Sequence, residues 1–146
     1  MTQAAYNDGQ YRFGVLRSCD RENVSVTKPA RILYCHCAFA QVVPADVKQE
    51  VLRRLSESGV AFDAVADLCE MSARRDPGMK QLASEGSLRI AACFPRAVRG
   101  LFIAADAALP EQGVEILNMR ADSAEQICEA LLTVNGKPVA MAEENK

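Results

Sequence analysis

Six cysteines are spread along the 146 residues, and four of them stand at the ends of short apolar runs. Ala30-Arg31-Ile32-Leu33-Tyr34 leads into Cys35-His36-Cys37, the run from Val60 to Leu68 leads into Cys69, and Leu88-Arg89-Ile90-Ala91-Ala92 leads into Cys93. Thiolates are soft ligands, and a set of four suits iron in a cluster or zinc. Structural zinc sites favour paired Cys-x-x-Cys knuckles, whereas this set offers one Cys-x-Cys and two singletons. Such a spread fits a [4Fe–4S] cluster, whose corners need ligands from several directions. Cys35, Cys37, Cys69 and Cys93 are therefore expected to bind a [4Fe–4S] cluster, with zinc or no metal as the alternatives. Space-filling strand-end cysteines are the plain competing reading, and four of them at three equivalent positions weigh against it.

The remaining chemistry-bearing residues divide less sharply. His36, the single histidine, is read as an exposed loop residue, with ligand or proton relay as the alternative. Arg96 and Arg99 follow Cys93 and are either a solvated helix face or a means of tuning the centre and docking an acidic partner. Cys128 lies beside Ile127 and Leu131 and reads as a buried structural thiol. Cys19, in the N-terminal segment, reads as inert. Cys35 and Cys37 could also cycle between dithiol and disulfide, although a Cys-x-Cys ring is tight.

Four thiols so far apart in sequence meet only if the elements before them end on one side of the protein. The apolar runs alternate with helical patterns. Pro44-Ala45-Asp46 opens a helix, with Pro at its first position and Val47, Val51 and Leu55 at four-residue spacing before Gly59. Asp76-Pro77-Gly78 caps a helix from Met79 to Glu85 that ends at Gly86. Pro95 leads into a helix carrying Val98, Leu101, Phe102 and Ala105. A fourth strand, Val114–Asn118, precedes a capping box at Ser123-Ala124-Glu125-Gln126 and a last helix through Leu132. This alternation predicts an α/β fold: an open, mainly parallel four-stranded sheet with helices on both faces, of the Rossmann or flavodoxin-like kind. In such a sheet all strands end on one side, where open α/β folds bind their ligands. Residues 1–28 are expected to form an N-terminal arm or hairpin, 29–134 the α/β domain, and 135–146 a flexible tail.

Composition narrows the function. The formal charge is −2, with 17 basic and 19 acidic residues and no basic stripe, which argues against nucleic acid. No apolar stretch of about 18 residues exists and the N-terminus does not read as a secretory signal, so no membrane partner is expected and a cytoplasmic location is. In that compartment, cysteines serve metal binding or redox chemistry more often than disulfides.

Three blocks carry a family resemblance. Tyr34-Cys35-His36-Cys37 is similar to a Val-Cys-His-Cys-Gly motif. Leu68-Cys69-Glu70-Met71-Ser72 with Asp76-Pro77-Gly78 is similar to Met-Cys-Ser and Asp-Pro-Gly. Ile90-Ala91-Ala92-Cys93-Phe94-Pro95-Arg96 is similar to Val-Ala-Ala-Cys-Ser-Pro-Arg. In this order the segment from Cys35 to about Arg120 resembles the N-terminal iron–sulfur domain of the flavoprotein subunit of heterodisulfide reductase and of related flavoprotein electron-transfer subunits. The resemblance implies a [4Fe–4S] cluster on Cys35, Cys37, Cys69 and Cys93. The chain departs from the pattern at Ala38, at Phe94 and over Ala97-Val98-Arg99-Gly100. It also carries no Gly-x-Gly-x-x-Gly after a strand, so no FAD site is expected within it. The leading expectation is an electron carrier or accessory subunit of an oxidoreductase, exchanging electrons with a flavoprotein or ferredoxin. The alternatives are a zinc-stabilised interaction module and a thiol/disulfide enzyme subunit.

Overall fold

The computed structural model describes residues 30–134 and 137–138. The arm or hairpin expected over residues 1–28 lies outside the described residues, as does Cys19. So does the expected tail, apart from positions 137 and 138.

The elements run β1 (Arg31–Cys35), α1 (Ala45–Glu57), β2 (Asp63–Val65), α2 (Leu68–Ala73), α3 (Pro77–Ala83), β3 (Leu88–Ala92), α4 (Pro95–Ala104), β4 (Val114–Asn118) and α5 (Ala124–Leu132). A short antiparallel pair, β5 (Thr133–Val134) with β6 (Lys137–Pro138), follows. Strands β1 to β4 form a parallel sheet in the order β2-β1-β3-β4. The register sets Leu33 of β1 between Asp63 of β2 and Ile90 of β3, and Ile90 against Ile116 of β4. Parallel neighbours require crossovers, and right-handed crossovers in this order place α1 on one face and the helices α2 to α4 on the other. The observed packing agrees, for α1 lies against α5 and α2 against α4. This is the open doubly wound α/β fold expected from the alternation of strands and helices.

The core explains why these segments hold. Leu33, Tyr34, Leu88, Ile90 and Ala91 of the central strands are buried, with Val51 and Leu55 from α1, Phe102 and Val98 from α4, and Ile127 and Leu131 from α5 closing over them. Central strands covered on both faces need no polar alternation, which is why Ile32-Leu33-Tyr34 and Ile90-Ala91-Ala92 read as unbroken apolar runs. Arg89 of β3 donates to the carbonyls of Ala130, Leu131 and Thr133, fastening the end of α5 to the sheet.

Several local expectations differ from the structure. Pro44 occupies the N-cap of α1, with φ −53° and ψ 135°, and the helix begins at Ala45, one residue later than expected. Only Asp63–Val65 of the run Val60–Leu68 is strand. Asp67 takes the N-cap of α2, a helix the apolar pattern hid. α3 starts at Pro77, because Asp76 caps it by accepting from Gly78 N, and it ends at Ala83 before Gly86 turns with φ 79°. The capping box at Ser123 and Gln126 is present as expected.

Candidate metal centre

In the order β2-β1-β3-β4 the chain reverses direction across the sheet between β1 and β3, which makes the carboxyl ends of those two strands the switch point where doubly wound folds open a crevice. Cys35 is the last residue of β1, Cys37 lies two residues on, and Cys93 follows β3 directly. Cys69 departs from its expected place: it is not at a strand end but the second residue of α2, beyond β2. The shift keeps it on the same edge of the sheet.

The four thiols lie near enough for their charges to bear on one another. Cys35 feels Cys37, Cys69 feels both Cys35 and Cys93, and Cys93 feels Cys37. Cys35 and Cys37 are 6% and 4% exposed, Cys93 is half-buried and Cys69 is exposed, so the set forms a wall open on the Cys69 side. Burial pushes the Cys35 thiol up, opposed by N–H bonds from Leu68 and Cys37. Burial also raises Cys93, against which the Phe94 N–H and the charge of Arg120 act in the other direction. Cys69 is pushed up to about 11, by burial first and then by the adjacent Asp67 carboxylate.

Asp67 organises this edge. Its carboxylate is 2% exposed and accepts four backbone N–H groups. Oδ1 takes Cys69 N at 2.8 Å and Glu70 N at 3.4 Å, and Oδ2 takes Phe39 N and Ala40 N at 3.1 Å each. Burial alone would raise its pKa, but the four N–H groups outweigh it and hold the carboxyl below its ordinary value. One side chain thus ties the loop after Cys37 to the helix that carries Cys69. The loop is further pinned by His36 N to Val65 O and Ala38 N to Ala66 O, and it places Cys37 at φ 52° and Gln41 at φ 50°, a left-handed conformation uncommon outside glycine. Sequence reasoning missed Asp67, although Asp67-Leu68-Cys69-Glu70 has the acid-x-x-Glu spacing of a helix start.

His36 is half-buried and its Nδ1 lies 3.0 Å from the hydroxyl of Tyr34. The one hydroxyl hydrogen of Tyr34 goes to the carbonyl of Lys48 at 2.8 Å, so His36 Nδ1–H donates to Tyr34 and the free lone pair of neutral His36 is on Nε2. Tyr34 is fully buried beneath the site and is pushed up to about 12 by burial. Arg96 stands exposed in the first turn of α4. Arg99 reaches the carbonyl of Pro110. Cys128 is buried in α5 with its sulfur near Val51 O, away from the other thiols, in the structural role expected of it.

The donor set suits a soft metal group in its chemistry: four sulfurs from three segments of the chain, with N–H groups of Leu68, Cys37 and Phe94 directed at sulfur, as thiolate ligands require. Among the described residues no three His, Cys, Asp or Glu side chains are gathered round a single ion position. The four thiols share an edge of the sheet rather than close on one point. A groove of about 490 Å³ lined by Phe39, Ala40, Asp67, Cys69 and Glu70 opens beside it.

Fold and site together define an open α/β protein with four thiols along the carboxyl edge of its parallel sheet. Compared with known proteins, the chain matches no protein-family model, no curated protein and no solved structure. Among the described residues no helix is long and apolar enough to cross a membrane.

Proposed function

We propose that this chain is a cytoplasmic electron-transfer protein or small redox subunit in which Cys35, Cys37, Cys69 and Cys93 hold a [4Fe–4S] cluster and exchange electrons with a flavoprotein or ferredoxin. The observation that carries the reading is the placement of the four thiols along one carboxyl edge of the sheet, with Cys35 at the end of β1, Cys37 just beyond it, Cys93 directly after β3 and Cys69 at the start of α2. When bound, such a cluster supplies a one-electron couple. The chain's own residues do the rest. Buried Cys35 and Cys37 anchor one side and keep water from it, while Cys69 and Cys93 hold the side nearer solvent, through which a partner has access. N–H groups from Leu68 and Phe94 offset negative charge on sulfur, and Asp67 fixes the spacing between the two loops. The resemblance of the three cysteine blocks to the heterodisulfide reductase flavoprotein points the same way.

The dithiol alternative is disfavoured by burial. Exchange chemistry needs a thiolate, and burial of Cys35 favours the protonated thiol. Metal binding instead displaces that proton.

Anaerobically purified protein is expected to show a broad absorption near about 400 nm that bleaches with dithionite and returns on reoxidation, the behaviour of a thiolate-bound cluster. Protein that holds iron and sulfide but cannot be reduced and reoxidised overturns the electron-transfer reading.

A further inference from the structure

The thiol edge carries an unusual surface on its Cys93 side. Phe94, the residue after Cys93, is 45% exposed. Arg120 lies over the Phe94 ring at 4.3 Å and acts on the Cys93 thiol. Arg96, two residues beyond Phe94, is also exposed.

The ion pairs set this place apart from most of the other arginines, although Arg99, bonded to the Pro110 carbonyl, is also without an acid partner among the described residues. Elsewhere in the described residues Arg31, Arg53, Arg54, Arg74, Arg75 and Arg89 each pair with an acid. Arg96 and Arg120 make no ion pair with a described residue, and exposed Asp122, two positions beyond Arg120, pairs with neither. The acids nearest the other thiols are already engaged: Asp67 by four N–H groups and Glu70 by Arg74. The Cys93 side therefore presents an exposed aromatic ring with Arg120 over it and exposed Arg96 two residues further on, two cations without an acid partner among the described residues, next to the proposed metal-binding sulfurs. Aromatic and arginine side chains are the residues that anchor protein interfaces.

We propose that Phe94, Arg96 and Arg120 form the docking face for an acidic redox protein whose own centre is ringed by carboxylates. The proposal rests on the electron-transfer reading above and names the surface and the charge of its partner. The ring supplies the apolar contact, the two guanidiniums pair with carboxylates and steer the encounter, and the geometry brings the partner's centre over Cys93.

The test uses the full chain and, as probe, a plant-type [2Fe–2S] ferredoxin of net negative charge. Calorimetric titration at low salt is expected to give saturable binding that weakens about tenfold or more on raising ionic strength to about 0.3 M, as screening requires. Arg96→Glu with Arg120→Glu is expected to weaken low-salt binding about tenfold or more, and Phe94→Ala by about threefold or more. Lys80→Glu on α3 serves as a charge control and leaves it unchanged. No binding, binding insensitive to salt, or equal losses in the Lys80 control and the arginine variants overturns the proposal. So does a dimer that Phe94→Ala dissolves, which would assign the face to a second copy of this chain. Iron and sulfide are measured on the titrated sample, and the isotherm is read whatever they show. An iron-free chain defeats the cluster reading, whereas a loaded chain without charge-dependent binding defeats the docking face alone.

Discussion

Replacing Asp67 by Asn removes one charge and converts one acceptor oxygen into a donor, with almost no change in shape. In the native protein each carboxylate oxygen takes two backbone N–H groups, one pair from the loop after Cys37 and one from the start of α2. An amide can serve one pair only, so its NH2 faces the other two donors. Two N–H groups left without an acceptor cost about 1–3 kcal/mol each, and water reaching the exposed loop at Phe39 and Ala40 offsets part of this. The net loss is about 3 kcal/mol, or about 10 °C in Tm for a domain of this size. The gap between the two proteins also depends on pH in a stated direction. The folded carboxyl lies below its ordinary value, so its contribution is complete above about pH 4, the unfolded Asp range, and is lost as pH falls through the folded value. Urea unfolding followed by far-ultraviolet circular dichroism at pH 7 and at successively lower pH measures both effects. A gap below about 1 kcal/mol at neutral pH, or one that does not narrow in acid, refutes the argument that the four N–H bonds hold this edge together.

Other consequences follow from particular positions. Because burial and then Asp67 push Cys69 up to about 11, its alkylation by a maleimide at pH 8 is expected to be slow despite exposure and to accelerate several-fold in Asp67→Asn, as read by mass spectrometry of the iron-free protein. Arg75 at φ 50° ends α2, with Arg75 N bonded to Ser72 O and Asp76 N to Met71 O, and Asp106 at φ 56° ends α4 in the same way. Glycine relieves the left-handed backbone at both, so Arg75→Gly and Asp106→Gly should each stabilise by about 1 kcal/mol, measured as a shift in urea midpoint at constant slope. Gly113 behaves oppositely. Its φ is 80° and an added Cβ would stand 2.4 Å from Gly86 O, beside the Leu88 N to Gly113 O bond that starts the pairing of β3 with β4. Gly113→Ala should cost about 3 kcal/mol or more and lower Tm accordingly, whereas a loss under about 1 kcal/mol would show that the turn shifts freely.

What the sequence disclosed depended on the physics at each place. β3 and β4 were legible to the residue because Leu88–Ala92 and Val114–Asn118 are bounded by glycine or proline turns on one side and helix starts on the other. The Ser123 capping box announced α5 because its signal is local. The run Val60–Leu68 misled for the opposite reason. Its apolar residues suit either a strand or the buried start of a helix, and only the capping by Asp67, which gathers N–H groups far apart in sequence, decides where one ends and the other begins. That Cys35, Cys37 and Cys93 share one edge was legible because a parallel sheet fixes where strands end, whereas Cys69 reaches that edge from the start of α2. The clamp that spaces their loops, the tautomer that Tyr34 imposes on His36 and the uncompensated charge at Arg96 and Arg120 are tertiary facts, with no local pattern to announce them.

The central claim is most directly tested by metal analysis of anaerobically prepared protein together with single cysteine-to-serine variants. The account predicts about four irons and four sulfides per chain, as a [4Fe–4S] centre requires. It predicts that Cys35→Ser, Cys37→Ser, Cys69→Ser and Cys93→Ser each lose or destabilise the centre, while Cys128→Ser retains it in full. Colourless, iron-free protein, one zinc per chain, or an iron content that falls with Cys128 and not with the other four would contradict it.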